Sequence, residues 1–203
     1  MFGGVALLPE EEIMKKFISI REKYDKYFIS PPLGIESNLP HVTIFQSYFD
    51  YNTDYHQVLT SLSQNHSGCV TNSKIQHLGH VPQGWIFSYI KNDKNLQNLH
   101  YKSFKILHDH IVKEAIPREI DFTGFNDHEK QYHLEYGYKY LFEQYRPHIT
   151  LGVSQDDYIN TIDAIKDEYN DILLGNEIVF NRIVFYEVGL FGTCKSVIDE
   201  III

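Results

Sequence analysis

Cysteine is nearly absent. The 203 residues hold two, Cys69 and Cys194, far apart and outside any CxxC pattern. That excludes a disulfide framework and a cysteine-rich zinc site. Long apolar runs are missing as well: Gly3 to Leu8 and the acid-interrupted Ile198 to Ile203 fall far short of a membrane span. The N-terminus has no basic stretch, and Glu10, Glu11 and Glu12 follow its first apolar run, so it does not read as a secretory signal. Positive charge is scarce, with 18 Lys and Arg against 27 Asp and Glu and a formal net charge of −9. Such a chain is a poor binder of long nucleic acid duplexes by broad phosphate neutralisation, although a short nucleotide in a local cleft remains open to it. GxSxG, GxGxxG and P-loop patterns are all lacking, so serine hydrolysis and ATP-driven ligation have no visible machinery. No low-complexity segment or linker marks a boundary. The expectation is one soluble domain over residues 1–203, cytoplasmic, monomeric and without a membrane partner.

What is present begins with composition. Hydrophobic residues make up 43% and charged residues 22%, which excludes a disordered chain. Aromatic residues reach 14%, with 15 Tyr and 13 Phe, and there are 11 His. Aromatics at this level suit a strand-rich fold, and most belong in a core or half-buried sheet. Trp85, Tyr89 and Tyr186 are candidate cleft aromatics, with core packing the better reading for each.

Hydrophobic periodicity predicts strands at Val5 to Leu8, Val42 to Phe45, Val70 to His80, Trp85 to Ile90, Ile149 to Val153, Ile178 to Val188 and Ser196 to Ile203. It predicts helices over Glu10 to Tyr27, Asp54 to Leu62, Asn95 to Ile116 and Gln155 to Tyr169, with breaks at Asn65, Ser67 and Gly68 and a stop at Pro117. Residues 122–145 mix glycines, aromatics and charges and read as an insertion or hairpin. This order predicts an α+β fold with helices packed on antiparallel-rich sheet.

One internal echo stands out. Pro40-His41-Val42-Thr43-Ile44 returns about half a chain later as Pro147-His148-Ile149-Thr150-Leu151. In a strand, residues i and i+2 share a face. His41 and Thr43 then face one way while Val42 and Ile44 enter the core, and His148 and Thr150 repeat the arrangement. If the halves are related by a pseudo-twofold axis, two imidazoles and two hydroxyls oppose one another across a cleft. Two histidines near neutrality can act as general base and general acid. A neighbouring hydroxyl can donate to a phosphate oxygen. The set suits attack of water on a phosphodiester and requires no metal or other cofactor.

The same parity places Phe45 on the cleft face, able to stack a base. It also places Arg146 where it could reach a phosphate, the alternative being an ion pair with Glu143. Gly152 would leave room beside the second pair. The other histidines carry weaker signals. His77 and His80 read as structural or solvated, His128 and His133 could cover the cleft, and His108-Asp109-His110 lacks the companions a metal site needs.

The doubled His-x-Thr strands resemble the 2H phosphoesterase superfamily, which includes the 2′,5′ RNA ligase-like proteins and cyclic nucleotide phosphodiesterases. The resemblance implies two similar α+β lobes flanking a cleft, with His41 and His148 catalytic and Thr43 and Thr150 binding phosphate. It favours His148 as base and His41 as acid. The stretch Tyr136-Gly137-Tyr138 through Glu143, Tyr145, Arg146 and Pro147-His148 is similar to the approach to the second motif in 2H proteins found with bacterial phosphonate genes. Pro147 before the second His is closer to the RNA ligase-like pattern. Phe45, Tyr145 and Arg146 complete the candidate substrate-binding set. The implied partner is a small nucleotide or oligonucleotide, opened at a 2′,3′-cyclic phosphate or cleaved at a 2′,5′ or 3′,5′ linkage, including in a cyclic oligonucleotide signal. Competing readings are a protein that sequesters a nucleotide without cleaving it, an ATP-independent 2′,5′ RNA ligase, and a metal-dependent hydrolase.

Overall fold

The computed structural model describes residues 1–64, 72–155 and 157–203. The expected breaks at Asn65, Ser67 and Gly68, the start of the strand expected from Val70, and Cys69 lie outside the described residues.

The chain is α+β. Its first half runs β1 (Phe2–Pro9), α1 (Glu11–Lys23), β2 (Val42–Tyr48), α2 (Tyr55–Gln64) and β3 (Asn72–His80). Its second half runs β4 (Trp85–Ile90), α3 (Lys94–Leu107), α4 (Asp127–Tyr136), β5 (His148–Val153), α5 (Tyr158–Ile172), β6 (Glu177–Val188) and β7 (Cys194–Ile202). Every strand pairing is antiparallel.

The seven strands are ordered β1-β2-β5-β4-β3-β6-β7, and β6 pairs back onto β1. Two links in this ring are thin. β2 and β5 meet at one bridge, Val42 to Ile149, and β3 meets β6 over three residue pairs. The strands therefore fall into two strongly bonded groups, β7-β6-β1-β2 and β3-β4-β5. Each group takes strands from both halves of the chain, because β3 pairs with β4 and β6 with β1.

The bridge at Val42 and Ile149 joins equivalent positions of the sequence echo. A pseudo-twofold axis therefore passes between them. The surrounding register obeys it: Thr43 lies opposite Ala6 on β1, and Thr150 opposite Phe87 on β4. In each half one extra residue then enters the motif strand, Ile44 in β2 and Leu151 in β5. These are matched β-bulges, and a bulge reverses the facing of every residue beyond it.

Periodicity gave the elements to within a few residues, with two exceptions. The long helix expected over Asn95 to Ile116 ends at Leu107 and continues as 3-10 turns at His108–His110 and Lys113–Ala115. The segment 122–145 is not a hairpin. It holds α4, started by a reciprocal capping box between Asn126 and Glu129 and ended by Gly137 at φ 76°.

The core is continuous across both strand groups. Phe17, Phe45, Phe49, Phe180 and Phe185 are fully buried in it. Among the described residues no helix is long and apolar enough to cross a membrane.

Candidate functional site

The bridge between β2 and β5 decides where the motif side chains go. Val42 and Ile149, the residues between each His and Thr, are fully buried, as are Ile44 and Leu151 beyond them. Thr43, Thr150 and His148 turn the other way and line one cavity of about 660 Å³. His41 faces a narrower crevice that shares Thr150 and Phe191 with that cavity. His41 is near enough for its charge to weaken the basicity of His148.

Both imidazoles are held in the same way. Nδ1 of His41 lies 2.8 Å from the Leu39 carbonyl, and Nδ1 of His148 lies 2.6 Å from the Arg146 carbonyl. A carbonyl only accepts, so each Nδ1 carries the proton and donates it. In the neutral ring Nε2 then holds the free lone pair, the form a general base needs. Burial lowers both pKa values from 6.5 to about 4. For His148, the charges of His41, Lys139 and Arg146 add to the effect of burial.

Thr43 is tied into a short network. Its Oγ1 lies 3.1 Å from the Tyr186 hydroxyl, which donates to Gln46 Oε1 at 3.2 Å. If the phenol turns its proton to Thr43 instead, the threonine proton is free for an anion in the cavity. Tyr186 is fully buried and stacks obliquely on His41, with ring centroids 5.0 Å apart. Core packing was the expected role of Tyr186, and its hydroxyl adds a function to that packing.

The proposed substrate contacts fare differently. Phe45 does not reach the cavity. The bulge at Ile44 turns it into the core, where its ring meets Phe49, Phe104 and Tyr138. Gln46 takes the cavity position instead. Gly152 lies outside the larger cavity and lines the crevice that His41 faces, where an added Cβ would meet Phe28 and Ser30. Tyr145 is also a core residue. Its hydroxyl donates to the Thr43 carbonyl at 3.3 Å and its ring stacks on His100 at 4.2 Å. Arg146 is half-exposed and pairs with Glu129 at 3.6 Å, not with Glu143. It stays close enough to act on His148 by charge.

No protein-family model matches the chain, and no curated protein matches it. The chemistry available to the site follows from its own geometry.

Aromatic side chains form part of the cavity wall. Phe2, Trp85, Phe87, Phe125, Tyr140 and Phe191 contribute to it. Phe87 packs on the His148 ring at 4.1 Å, and the Trp85 indole N–H points to the Phe191 carbonyl at 3.4 Å. Such faces stack bases or other flat rings. α4 and its exit loop supply a further wall with His133 and Lys139. Of the two histidines expected to cover the cleft, His133 does line it, while His128 pairs with Glu143 at 3.0 Å. His77 packs on Tyr89 and His80 on Tyr158. His108 holds the Lys105 carbonyl. Among the described residues no three His, Cys, Asp or Glu side chains converge on one point.

Sequence reasoning missed His100, Gln46, Tyr186 as a hydrogen-bonding group, and Lys139. His100 is fully buried. Its Nδ1 donates to the Ile44 carbonyl at 2.7 Å, and its Nε2 accepts from the Phe142 N–H at 2.9 Å. With Tyr145 it satisfies the two consecutive carbonyls of the β2 bulge. No local sequence signal marks these residues: Gln46 follows the unseen β2 bulge, and His100 and Tyr186 reach the site from distant elements.

Proposed function

We propose that the protein is a phosphodiesterase that uses two histidines as acid and base and needs no metal ion. Its substrate is a small nucleotide or RNA end carrying a 2′,3′-cyclic phosphate or a 2′,5′ or 3′,5′ linkage. One imidazole takes a proton from water as the water oxygen bonds to phosphorus. The other gives its proton to the ribose oxygen as the P–O bond breaks. Thr43 and Thr150 donate to the non-bridging oxygens, where charge builds up. The observation that carries this reading is the bridge between Val42 and Ile149, beside which Thr43, Thr150 and His148 line one cavity and His41 the adjoining crevice. The fixed Nδ1–H tautomers and the aromatic wall agree with it.

Assay in EDTA of 2′,3′-cyclic mononucleotides, 2′,5′- and 3′,5′-linked oligoadenylates and cyclic oligonucleotides, read by mass, tests it. Wild type should give product, and His41→Ala and His148→Ala should each lose about 10²-fold or more while still folding. Retained turnover in either variant refutes the mechanism. A second reading, sequestration of a nucleotide without cleavage, draws on one observation. With both pKa values near 4, both rings are neutral at pH 7 in the free protein and no acid is ready. A tight nucleotide complex that yields no product over hours would favour it.

A further inference from the structure

Lys139 sits on the loop between α4 and β5. The loop is pinned to β2, where Ser47 Oγ donates to the Tyr136 carbonyl at 2.5 Å. Gly137 follows at positive φ, and a Cβ there would lie 3.1 Å from Ser47 Oγ. That close packing sets where Lys139 emerges. Its ammonium lies over the rings of Phe125 at 4.0 Å and Tyr140 at 4.9 Å. The Tyr140 ring in turn meets His148, with centroids 5.5 Å apart.

Among the described residues Lys139 is the one Lys or Arg lining the cavity, and no carboxylate lies within ion-pair distance of it. The nearby acid, Glu129, is buried and engaged by Arg146 and by the α4 cap. Asp121, on the cavity wall, makes its contact with Thr123. A half-buried ammonium without a counterion is costly, and a bound anion would relieve that cost.

We propose that Lys139 is the cavity's anion anchor and holds a phosphate oxygen of the bound ligand beside His148. This rests on the phosphodiesterase reading and narrows it to substrates whose phosphate is gripped by an ammonium as well as by the threonines. The aromatic cradle makes the anchor titratable near neutrality. Its pKa is lowered to about 8, chiefly by burial, with Glu129 opposing the fall and Arg146 adding to it. The other titratable groups facing it are Tyr140, His148 and His133.

The test is calorimetric titration of wild type, Lys139→Met and Lys139→Arg with inorganic phosphate, adenosine and adenosine 3′-monophosphate, at pH 7 and pH 9. Wild type should bind the two phosphate-bearing probes about fivefold more tightly at pH 7 than at pH 9. Lys139→Met should lose about tenfold in affinity for both at pH 7 and show no weakening from pH 7 to pH 9. Lys139→Arg should recover affinity at pH 7 and keep it at pH 9. Adenosine binding should be equal in all three. Phosphate binding that is unchanged in Lys139→Met, or that depends on pH in the same way, overturns the proposal. The two readings fail separately. Lys139-dependent phosphate binding without cleavage of any phosphodiester leaves the anchor standing and the enzyme reading refuted. Cleavage by wild type with Lys139-independent binding does the reverse.

Discussion

At the residue scale, the proposed activity turns on two imidazoles that burial affects alike. Burial is the largest cause of the low pKa at both His41 and His148. The productive state of an acid–base pair has one ring protonated and the other neutral. With both values near 4 in the free protein, that state is most abundant near pH 4 and falls about tenfold per pH unit above it. The profile of kcat/KM should therefore decline steadily with rising pH between 5 and 7. The kcat profile should lie at higher pH, because a bound phosphate anion stabilises the imidazolium. Steady-state rates across pH 5 to 8 check this. A kcat/KM that rises from pH 5 to 6.5 would mean that the rings titrate as solvated histidines and that burial does not control them.

At the element scale, the matched bulges are the device that builds the site. Each motif strand keeps its His and Thr on one face for three residues and then reverses. In β5 the reversal brings Gly152 against α1's following loop, at φ 156°, where a Cβ would lie 2.6 Å from both Phe28 Cδ1 and Ser30 Oγ. Ser30 also accepts from the Val153 N–H at 3.0 Å, so it has little freedom to retreat. Gly152→Ala should cost about 1–3 kcal/mol from strain and overpacking together. Urea denaturation of the variant checks this, and a midpoint equal to wild type would show that the bulge is soft. In β2 the same reversal buries Phe45, and the exposed carbonyls are taken up by Tyr145 and His100.

At the scale of the whole molecule, the buried histidines link stability to pH. His41 and His100 both have pKa values lowered by burial from 6.5 to about 4. Between those values the unfolded chain takes up protons that the folded chain does not. Stability from these residues is therefore full above about pH 6.5 and is lost as pH falls to about 4, at roughly 3 kcal/mol for each histidine. Protonated His100 would also turn a second donor towards the Phe142 N–H, which it now accepts from. Thermal unfolding from pH 7.5 to 4.5 should show Tm falling steeply below pH 6.5. His100→Gln should flatten that slope, and an unchanged slope would remove His100 from this account.

The sequence by itself determined the α+β class, most element positions and the echoed His-x-Thr strands, because these rest on local periodicity and on the alternation of a strand. It expected His41, Thr43, His148 and Thr150 on one face; Thr43, His148 and Thr150 line one cavity, and His41 faces the crevice that adjoins it at Thr150. It misplaced Phe45, which follows the bulge, because one inserted residue reverses the later side chains and leaves no composition signal. Only the tertiary structure decided which strands exchange between the halves. That exchange brings Tyr186 from β6 to Thr43, His100 from α3 to the Ile44 carbonyl and Lys139 from the α4 loop to the cavity. The first two contacts join residues 143 and 56 positions apart, beyond the reach of any local pattern. The pKa values of the two histidines belong to the same category, because burial is a property of the packed molecule and not of the motif.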